Sequence, residues 1–181
     1  MNFENTKKAL ELFARAVIAQ AKRNLRTKNP NPKYDNQIGS GALEKSLSHF
    51  LKVWPGNYFT LEFYMEDYGP FIDEGVKGSK STYRESRNSP FKYTGNKKTV
   101  NPKALDKWLI RKGIAPRGKD GRFMTRKSLK YIIAKSIYEK GIRGSKFFKQ
   151  PFEDEFEKIN QDVIDAFGLD VNDFLIKTQV V

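Results

Sequence analysis

Apolar residues at the start of the chain recur at steps of three and four positions, which places them on one face of a helix. The pattern predicts an amphipathic helix from Phe3 to about Leu25 that packs on a core. Pro30 and Pro32 end it, because a proline lacks a backbone donor and pushes its predecessor toward extended geometry. A membrane-surface helix, the alternative, would need a more basic polar face.

A pattern with a period of two follows and predicts a β-hairpin. A strand-like run ending near Trp54 is separated by the turn signal Pro55-Gly56-Asn57 from a return strand of alternating residues. Phe59, Leu61, Phe63 and Met65 would share one face of that strand, and Tyr58, Thr60, Glu62 and Tyr64 the other. With the first helix covering the apolar face, the hairpin becomes one layer of an α+β fold.

The second half of the chain opens with a polar segment and then returns to helix patterns. Residues 76–100 are rich in Lys, Ser, Arg, Asn and Gly, and they are predicted to form a long basic loop. A short helix follows the cap Asn101-Pro102, and a longer one runs from Thr125 to Gly141. The apolar side of the longer helix would carry Leu129, Ile132, Ile133, Ser136 and Ile137.

The end of the chain is predicted to contain a short strand, a helix and an arm. Residues 146–149 have a strand-like pattern, and Phe152–Phe167 would form a final helix that Gly168 ends. Residues 169–181 would then form a C-terminal arm. Its apolar part, from Phe174 onward, is interpreted either as an edge strand or as an arm that pairs with another subunit.

These elements predict one α+β domain spanning residues 1–181, a length that suits a single domain. An antiparallel sheet would be packed by an N-terminal and a C-terminal helix. Residues 76–143 would form a long basic loop plus a helical insertion, and the segment Tyr68–Gly75 would be the hinge at which the insertion begins. In that hinge, Phe71 and Ile72 are expected to anchor the core.

The amino-acid composition excludes several kinds of metal site and covalent cross-link. Cysteine is absent, which excludes disulfides and thiolate metal sites, and the single histidine, His49, excludes a histidine metal cluster within one chain. No apolar run approaches eighteen residues, and the N-terminus lacks the basic-then-apolar order of a secretory signal. We therefore expect a soluble protein.

Charge is distributed unevenly along the chain, whose net charge is +13. Residues 1–75 carry 10 Lys/Arg against 9 Asp/Glu, residues 76–150 carry 22 against 4, and residues 151–181 carry 2 against 8. A basic middle segment favours contact with nucleic acid. It equally favours head-to-tail contact with the acidic end of a neighbouring copy, a type of contact that closes into rings.

Candidate catalytic features are weak. His49 has no neighbouring nucleophile or orienting group in the pattern, so it is interpreted as a strand residue. The glycines near Gly75 do not match a phosphate-binding loop. The acidic run Glu153–Glu157 suits a helix N-terminus, and the alternative is a Mg²⁺-dependent nuclease site. We expect no enzymatic activity, no cofactor and no metal.

Three segments stand in a recognisable order: Gly39–Leu47, Tyr68–Gly75 and Gly144–Phe152. They resemble the landmark segments of the tail-completion, or neck, family of tailed bacteriophages. That family carries a small-Gly-x-Leu-x-x-Ser segment, a Tyr-small-x-x-(Ile/Val)-Glu-x-Gly segment and an aromatic-Pro segment before the last helix. Here an additional carboxylate, Asp73, precedes Glu74, and the insertion before the third segment is long.

The resemblance implies a non-enzymatic virion protein that is assembled in the host cytoplasm. It would form a homo-oligomeric ring in the neck, between the portal or adaptor and the tail, with DNA passing through the lumen and no contact with a membrane. The alternative function is a basic nucleic-acid-binding protein.

Two sets of interaction residues are predicted. Contacts to neighbouring subunits or partners are assigned to Asp73, Glu74, Tyr83, Arg84, Arg87, Phe91, Lys92, Tyr93, Phe174, Leu175 and Ile176. Candidate DNA-facing cations are Lys97, Lys98, Arg117, Lys119 and Arg122. Asp73 and Glu74 are expected to be exposed and available to a neighbour's Lys or Arg.

Overall fold

The computed structural model describes residues 3–27, 41–55, 58–95, 98–111, 117 and 121–179. Contacts within the chain group its residues into two compact units. Unit one comprises Met1–Lys28, Gly41–Asp67 and Phe147–Val181, and unit two comprises Asn29–Ser40 and Tyr68–Lys146. The single-domain organisation stays a prediction.

The described residues form helices and short antiparallel strands, which confirms the predicted α+β class. Short 3₁₀ turns at Arg84–Ser86 and Pro102–Leu105 accompany them. In chain order the elements are α1 (Glu4–Thr27), α2 (Ala42–Ser46), β1 (Ser48–Trp54), β2 (Tyr58–Tyr64), α3 (Gly69–Glu74), β3 (Val76–Lys77), α4 (Asp106–Arg111), α5 (Arg126–Lys140), β4 (Gly141–Ile142) and α6 (Lys149–Gln179).

Unit one is built on the predicted first helix and hairpin. β1 and β2 pair antiparallel in the register Ser48 to Tyr64 and Trp54 to Tyr58. The alternation predicted for the return strand is confirmed, because the Phe59 ring lies 5.7 Å from that of Phe3 and the Phe63 ring lies 6.2 Å from that of Phe13. Aromatic packing of this kind adds to the burial that holds a sheet against a helix.

α6 lies antiparallel to α1 and completes the core of unit one. The Phe13 and Phe152 rings are 5.7 Å apart, and Asn24 Nδ2 donates to the Phe147 carbonyl at 3.2 Å. Phe147 is fully buried. The prediction of a strand at residues 146–149 is therefore wrong, since Phe147 packs in the turn just before Lys149 begins the helix.

The expected end of the last helix at Gly168 is also wrong, as is the edge strand from Phe174. α6 continues through Gly168 to Gln179, whereas residues 180–181 lie outside the described part of the chain. A glycine inside a helix costs about 1 kcal/mol relative to alanine. Asp170, which is 2% exposed, offsets that cost because it accepts four hydrogen bonds from the first residues of α1.

Unit two is closed at its root by a second pair of strands. β3 and β4 pair antiparallel, with Val76 opposite Ile142 and Lys77 opposite Gly141. Lys77 also forms a parallel bridge with Lys92, so part of the segment expected to be a loop adds to this small sheet. The predicted insertion thus leaves and returns at one place.

The third predicted helix is confirmed as α5, and of the five residues predicted for its apolar side four are partly buried and only Ile132 is exposed. Thr125 caps it, since its hydroxyl accepts from Ser128 N at 3.2 Å. The fully buried residues of α5, Ala134 and Tyr138, lie next to the predicted Ile133 and Ile137, and Ile132 is 51% exposed. Tyr138 is held because its hydroxyl donates to the Gly95 carbonyl at 2.7 Å.

Candidate interaction site

The second and third landmark segments meet at the root of unit two. Ser145 N donates to the Ile72 carbonyl at 3.0 Å, and Lys146 N donates to the Asp73 carbonyl at 2.9 Å. The Ser145 hydroxyl donates to the same Ile72 carbonyl at 3.0 Å. Segments about seventy positions apart are therefore joined by backbone hydrogen bonds at the end of α3.

Glycine is required at this junction by both conformation and space. Gly75 has a φ of +74°, and a Cβ there would lie 2.2 Å from Ser86 Oγ. Ser86 Oγ itself donates to the Ile142 carbonyl at 2.6 Å and accepts from Gly144 N at 2.9 Å. Ser89 Oγ donates to the Gly75 carbonyl at 2.7 Å. These bonds fix the segment after β3, which was expected to be a loop.

The two carboxylates of the hinge are not displayed as expected. Asp73 is 6% exposed, and Glu74 is paired with Lys146 of the same chain. The expectation that both are exposed is wrong, because Asp73 is buried and the Glu74 carboxylate forms an ion pair with Lys146. Phe71 was expected to anchor the core, but it is 42% exposed and packs against Phe91 at a ring separation of 4.3 Å.

The aromatic residues of the basic segment have contacts within unit two. The Arg143 guanidinium lies 4.6 Å from the centre of the Tyr83 ring, and the Tyr93 and Tyr138 rings are 5.7 Å apart. Burial raises the pKa of the Tyr93 hydroxyl above its ordinary value. Their role in binding a partner stays a prediction.

The partner-binding cations predicted in the same segment face solvent, whereas its aromatic residues are partly buried. Arg84, Arg87 and Lys92 are exposed. As solvent-facing charges, they remain the more accessible part of the predicted partner-binding set.

The predicted DNA-facing cations are exposed wherever the structure describes them. Lys98, Arg117 and Arg122 face solvent, whereas Lys97 and Lys119 lie outside the described residues. The Arg117 guanidinium lies 4.4 Å from the centre of the Phe123 ring, which is 68% exposed.

An additional basic surface lies on α5, and sequence reasoning missed it. Lys127, Tyr131 and Lys135 are exposed and follow one another at four-residue steps, so they share one helical face. Lys130 on the neighbouring face pairs with Asp106 at 2.7 Å. The four-residue spacing of Lys127, Tyr131 and Lys135 is a signal that the sequence alone contains.

The net charge follows the division into units. Unit one carries 12 Lys/Arg against 14 Asp/Glu, a net charge of −2, and unit two carries 22 against 7, a net charge of +15. The contrast predicted along the sequence therefore becomes a contrast between two compact bodies. Such a distribution raises the local concentration of anionic partners around unit two.

Unit one has an open apolar groove. Its cavity volume is about 710 Å³, and it is lined mainly by aromatic and aliphatic side chains from α1, β2 and α6. Phe156 and Ile164, on the α6 wall, are 51% and 63% exposed. Large exposed apolar patches of this kind commonly mark sites that bind a protein or a ligand.

The other candidate features form ordinary structural contacts. His49 Nε2 lies 2.9 Å from Glu11 Oε2, and Lys158 pairs with Glu155 at 2.8 Å. Within the described ranges, no three His, Asp or Glu side chains are arranged to hold a metal ion. Across the same ranges, none of the helices has the length and apolar character needed to cross a bilayer.

Comparison of the chain with protein-family profiles, curated proteins and solved structures found no match.

Proposed function

We propose that the protein is a structural virion subunit that forms a ring in the phage neck. The ring joins the portal or adaptor to the tail and surrounds the DNA channel. The chain acts there as a head–tail connector or tail-completion subunit without a catalytic role, and its site of action is the virion.

The observation that carries the proposal is the junction between two of the landmark segments. The Tyr68–Gly75 and Gly144–Lys146 segments are hydrogen-bonded to each other even though the insertion separates them in sequence. An insertion that leaves and returns through β3 and β4 preserves this junction. Order and spacing in the sequence thus correspond to a packed element, which supports the resemblance that motivates the proposal.

The distribution of charge supports assembly. A unit of net charge +15 and a unit of net charge −2 on one chain favour contacts between unlike surfaces of successive copies. Contacts between unlike surfaces close into rings when the rotation per subunit divides a full turn.

Co-assembly with the neighbouring virion proteins tests the proposal. The purified chain is mixed with portal or adaptor particles and separated by size, and the bound fraction is imaged. We expect it to co-migrate with the portal as a ring. A matched variant, Arg84→Ala with Arg87→Ala, removes two of the predicted contacts and leaves Ser86 and Ser89 in place at the junction, and it should bind more weakly. Failure of the intact chain to bind any portal or adaptor would contradict the proposal.

A second candidate function, binding of nucleic acid by unit two, is favoured by the α5 surface. Exposed lysines flank an exposed aromatic ring there, a combination that contacts phosphates and stacks on bases. Because each neutralised phosphate releases counterions, affinity for duplex DNA should fall steeply with salt.

Fluorescence anisotropy at two salt concentrations tests this second candidate. Replacing Lys127 and Lys135 with Ala should weaken binding and reduce the salt slope by about 0.9 for each phosphate that the protein no longer neutralises. The control variant, Lys8→Ala with Arg23→Ala, removes two exposed charges from unit one and should bind as the wild type does. Equal effects of the two variants would contradict an interface on α5.

A further inference from the structure

The Arg117–Phe123 bridge of unit two presents one aromatic ring to solvent. Phe123 is 68% exposed, the highest value among the large apolar side chains in the described part of the chain. Its backbone forms an isolated antiparallel bridge with Arg117, and Arg117 Nη1 donates to the Gly121 carbonyl at 3.3 Å. The position of the ring at the surface is therefore fixed by backbone and side-chain contacts.

A guanidinium covers one face of this ring. Arg117 Cζ lies 4.4 Å from the centre of the Phe123 ring, a distance typical of a cation–π contact. Since the side chain is 68% exposed although one face is covered, its solvent-facing surface consists mainly of the opposite face and the ring edge. A flat ligand that stacks on that face would also lie near a positive charge.

A second exposed ring lies on the helix that follows. Tyr131 of α5 is 50% exposed and stands between the exposed Lys127 and Lys135 at four-residue steps. Phe123 precedes Thr125, the cap of α5, by two residues. Exposed aromatic rings and exposed cations therefore alternate along this part of unit two.

The charge around the two rings favours an anionic ligand. Residues 117–135 carry seven Lys/Arg and one Asp, within a unit of net charge +15. A neutral apolar ligand would gain nothing from this charge, and an acidic peptide without aromatic residues would leave the rings uncovered. A nucleic-acid strand supplies phosphates for the cations and flat bases for the rings.

Exposed rings also distinguish between single-stranded and duplex DNA. In a duplex, each base is paired and stacked on its neighbours, so a surface ring reaches a base only after that base is extruded from the helix. In a single strand, the bases are accessible, and they stack on aromatic side chains with little dependence on sequence because every base has a π-face.

We infer that unit two binds single-stranded DNA and that Phe123, with Arg117 behind it, is a platform on which one base stacks. Tyr131 is the second platform, and Lys127 and Lys135 contact phosphates of the same strand. The inference rests on the second candidate function, binding of nucleic acid by unit two. It deepens that function by naming the form of DNA and the residue that stacks.

Fluorescence anisotropy of the intact chain with three labelled probes tests the inference. The probes are an oligothymidylate, an abasic strand of the same length and a duplex of the same length. The wild type should bind the oligothymidylate more tightly than the other two. Phe123→Ala should weaken binding of the oligothymidylate about 5- to 150-fold, the range expected for one lost stacking contact. It should leave binding of the abasic strand and the salt slope unchanged, because the phosphate contacts remain.

Two further variants show whether the effect comes from stacking. Phe123→Tyr keeps an aromatic ring and should bind the oligothymidylate within about twofold of the wild type. Phe50→Ala is the matched control, because Phe50 is a 54% exposed phenylalanine on β1 of unit one. It should bind all three probes as the wild type does. Circular dichroism establishes that the variants remain folded.

The results that would overturn the inference are specific. They are tighter binding of the duplex than of the oligothymidylate, wild-type binding of the oligothymidylate by Phe123→Ala, or an equal loss on the abasic strand. Duplex binding that depends on Lys127 and Lys135 but not on Phe123 would overturn the inference and keep the second candidate function. Absence of binding to any probe would contradict both, whereas co-migration with the portal tests the ring separately.

Discussion

Asp170 provides the sharpest test of how unit one is held together. Its carboxylate accepts hydrogen bonds from Asn5 N at 3.0 Å, Asn5 Nδ2 at 3.0 Å, Thr6 N at 2.9 Å and the Thr6 hydroxyl at 2.7 Å. It thus performs from α6 the task of an N-cap for α1, where backbone donors have no partner within the helix.

The cost of removing this carboxylate can be worked from those contacts. Loss of an N-cap acceptor costs about 0.5–2 kcal/mol, and a buried hydroxyl left without a partner costs about 1–3 kcal/mol. Since Thr6 is only 3% exposed, both costs apply. We expect Asp170→Ala to lower the free energy of unfolding of unit one by about 2–4 kcal/mol. For a chain of this size, that is a fall of about 5–15 °C in Tm.

The same contacts predict a pH dependence. Burial by itself would raise the pKa of Asp170, but hydrogen bonds from Thr6 and Asn5 outweigh it and hold the pKa below its ordinary value. A lowered pKa in the folded state stabilises the protein above about pH 4, the unfolded value, and this contribution is lost as pH falls through the folded pKa. Asp170→Asn should lack that contribution.

Tryptophan fluorescence isolates the relevant transition. The chain has two tryptophans, so a Trp108→Phe background leaves Trp54 as the reporter of unit one. The difference in free energy of unfolding between the wild type and Asp170→Asn should be largest at neutral pH and should shrink below pH 4. Asp173→Ala, which removes an exposed carboxylate from the same helix, is the control. A loss under about 0.5 kcal/mol for Asp170→Ala, or a gap that is constant with pH, would refute the reasoning.

Three further substitutions test other contacts by thermal unfolding. Gly168→Ala should raise stability by about 0.5–1 kcal/mol, because the site is helical and a Cβ there meets nothing within 4 Å; lower stability would argue against a continuous α6. Gly75→Ala should lower the free energy of unfolding by about 2–5 kcal/mol, because the added Cβ strains the backbone and clashes with its neighbours. Gly121→Ala is the control: its φ is similar but a Cβ there meets nothing within 4 Å, so it should cost only about 1–2 kcal/mol. Glu74→Lys should destabilise unit two by about 1–3 kcal/mol, since it places a second positive charge beside the half-buried Lys146. A variant as stable as the wild type would contradict a role of Glu74 within the chain.

Much of the fold was predictable because its signals are local. The three- and four-residue spacing of apolar residues predicted α1, and strict alternation predicted the paired face of β2. Thr125 was recognisable as the start of α5, since an N-cap acts on donors only a few residues away. These features depend on neighbours that sequence inspection sees together.

The errors arose where a distant residue decides the outcome. Gly168 is a sound local signal for the end of a helix. Asp170, however, accepts hydrogen bonds from Asn5 and Thr6, which precede it by 165 and 164 positions, and these bonds favour continuing the helix. Asp73 had the local character of an exposed loop carboxylate, but it is buried in the junction with the returning segment. No period or composition of a short window contains that information.

The charge of the candidate site could be predicted from the sequence, but the contacts among its residues could be predicted only in part. The sequence indicated a basic middle segment, and unit two has a net charge of +15, which exceeds the +13 of the whole chain because unit one is slightly acidic. It did not indicate that Phe91 would pack on Phe71, since a contact between residues twenty positions apart depends on how β3 and its neighbours fold. The continuation of α6 past the start of α1 was equally hidden, because it depends on a contact between Asp170 and Asn5, which lie 165 positions apart.

The central claim is that successive copies assemble into a closed ring. Negative-stain imaging of the purified chain alone and with portal particles, together with a mass measurement of the same sample, tests it most directly. We expect closed rings of uniform subunit number with an open centre, seated on the portal when it is present. A chain that remains monomeric under both conditions, or that forms only open filaments, would contradict it.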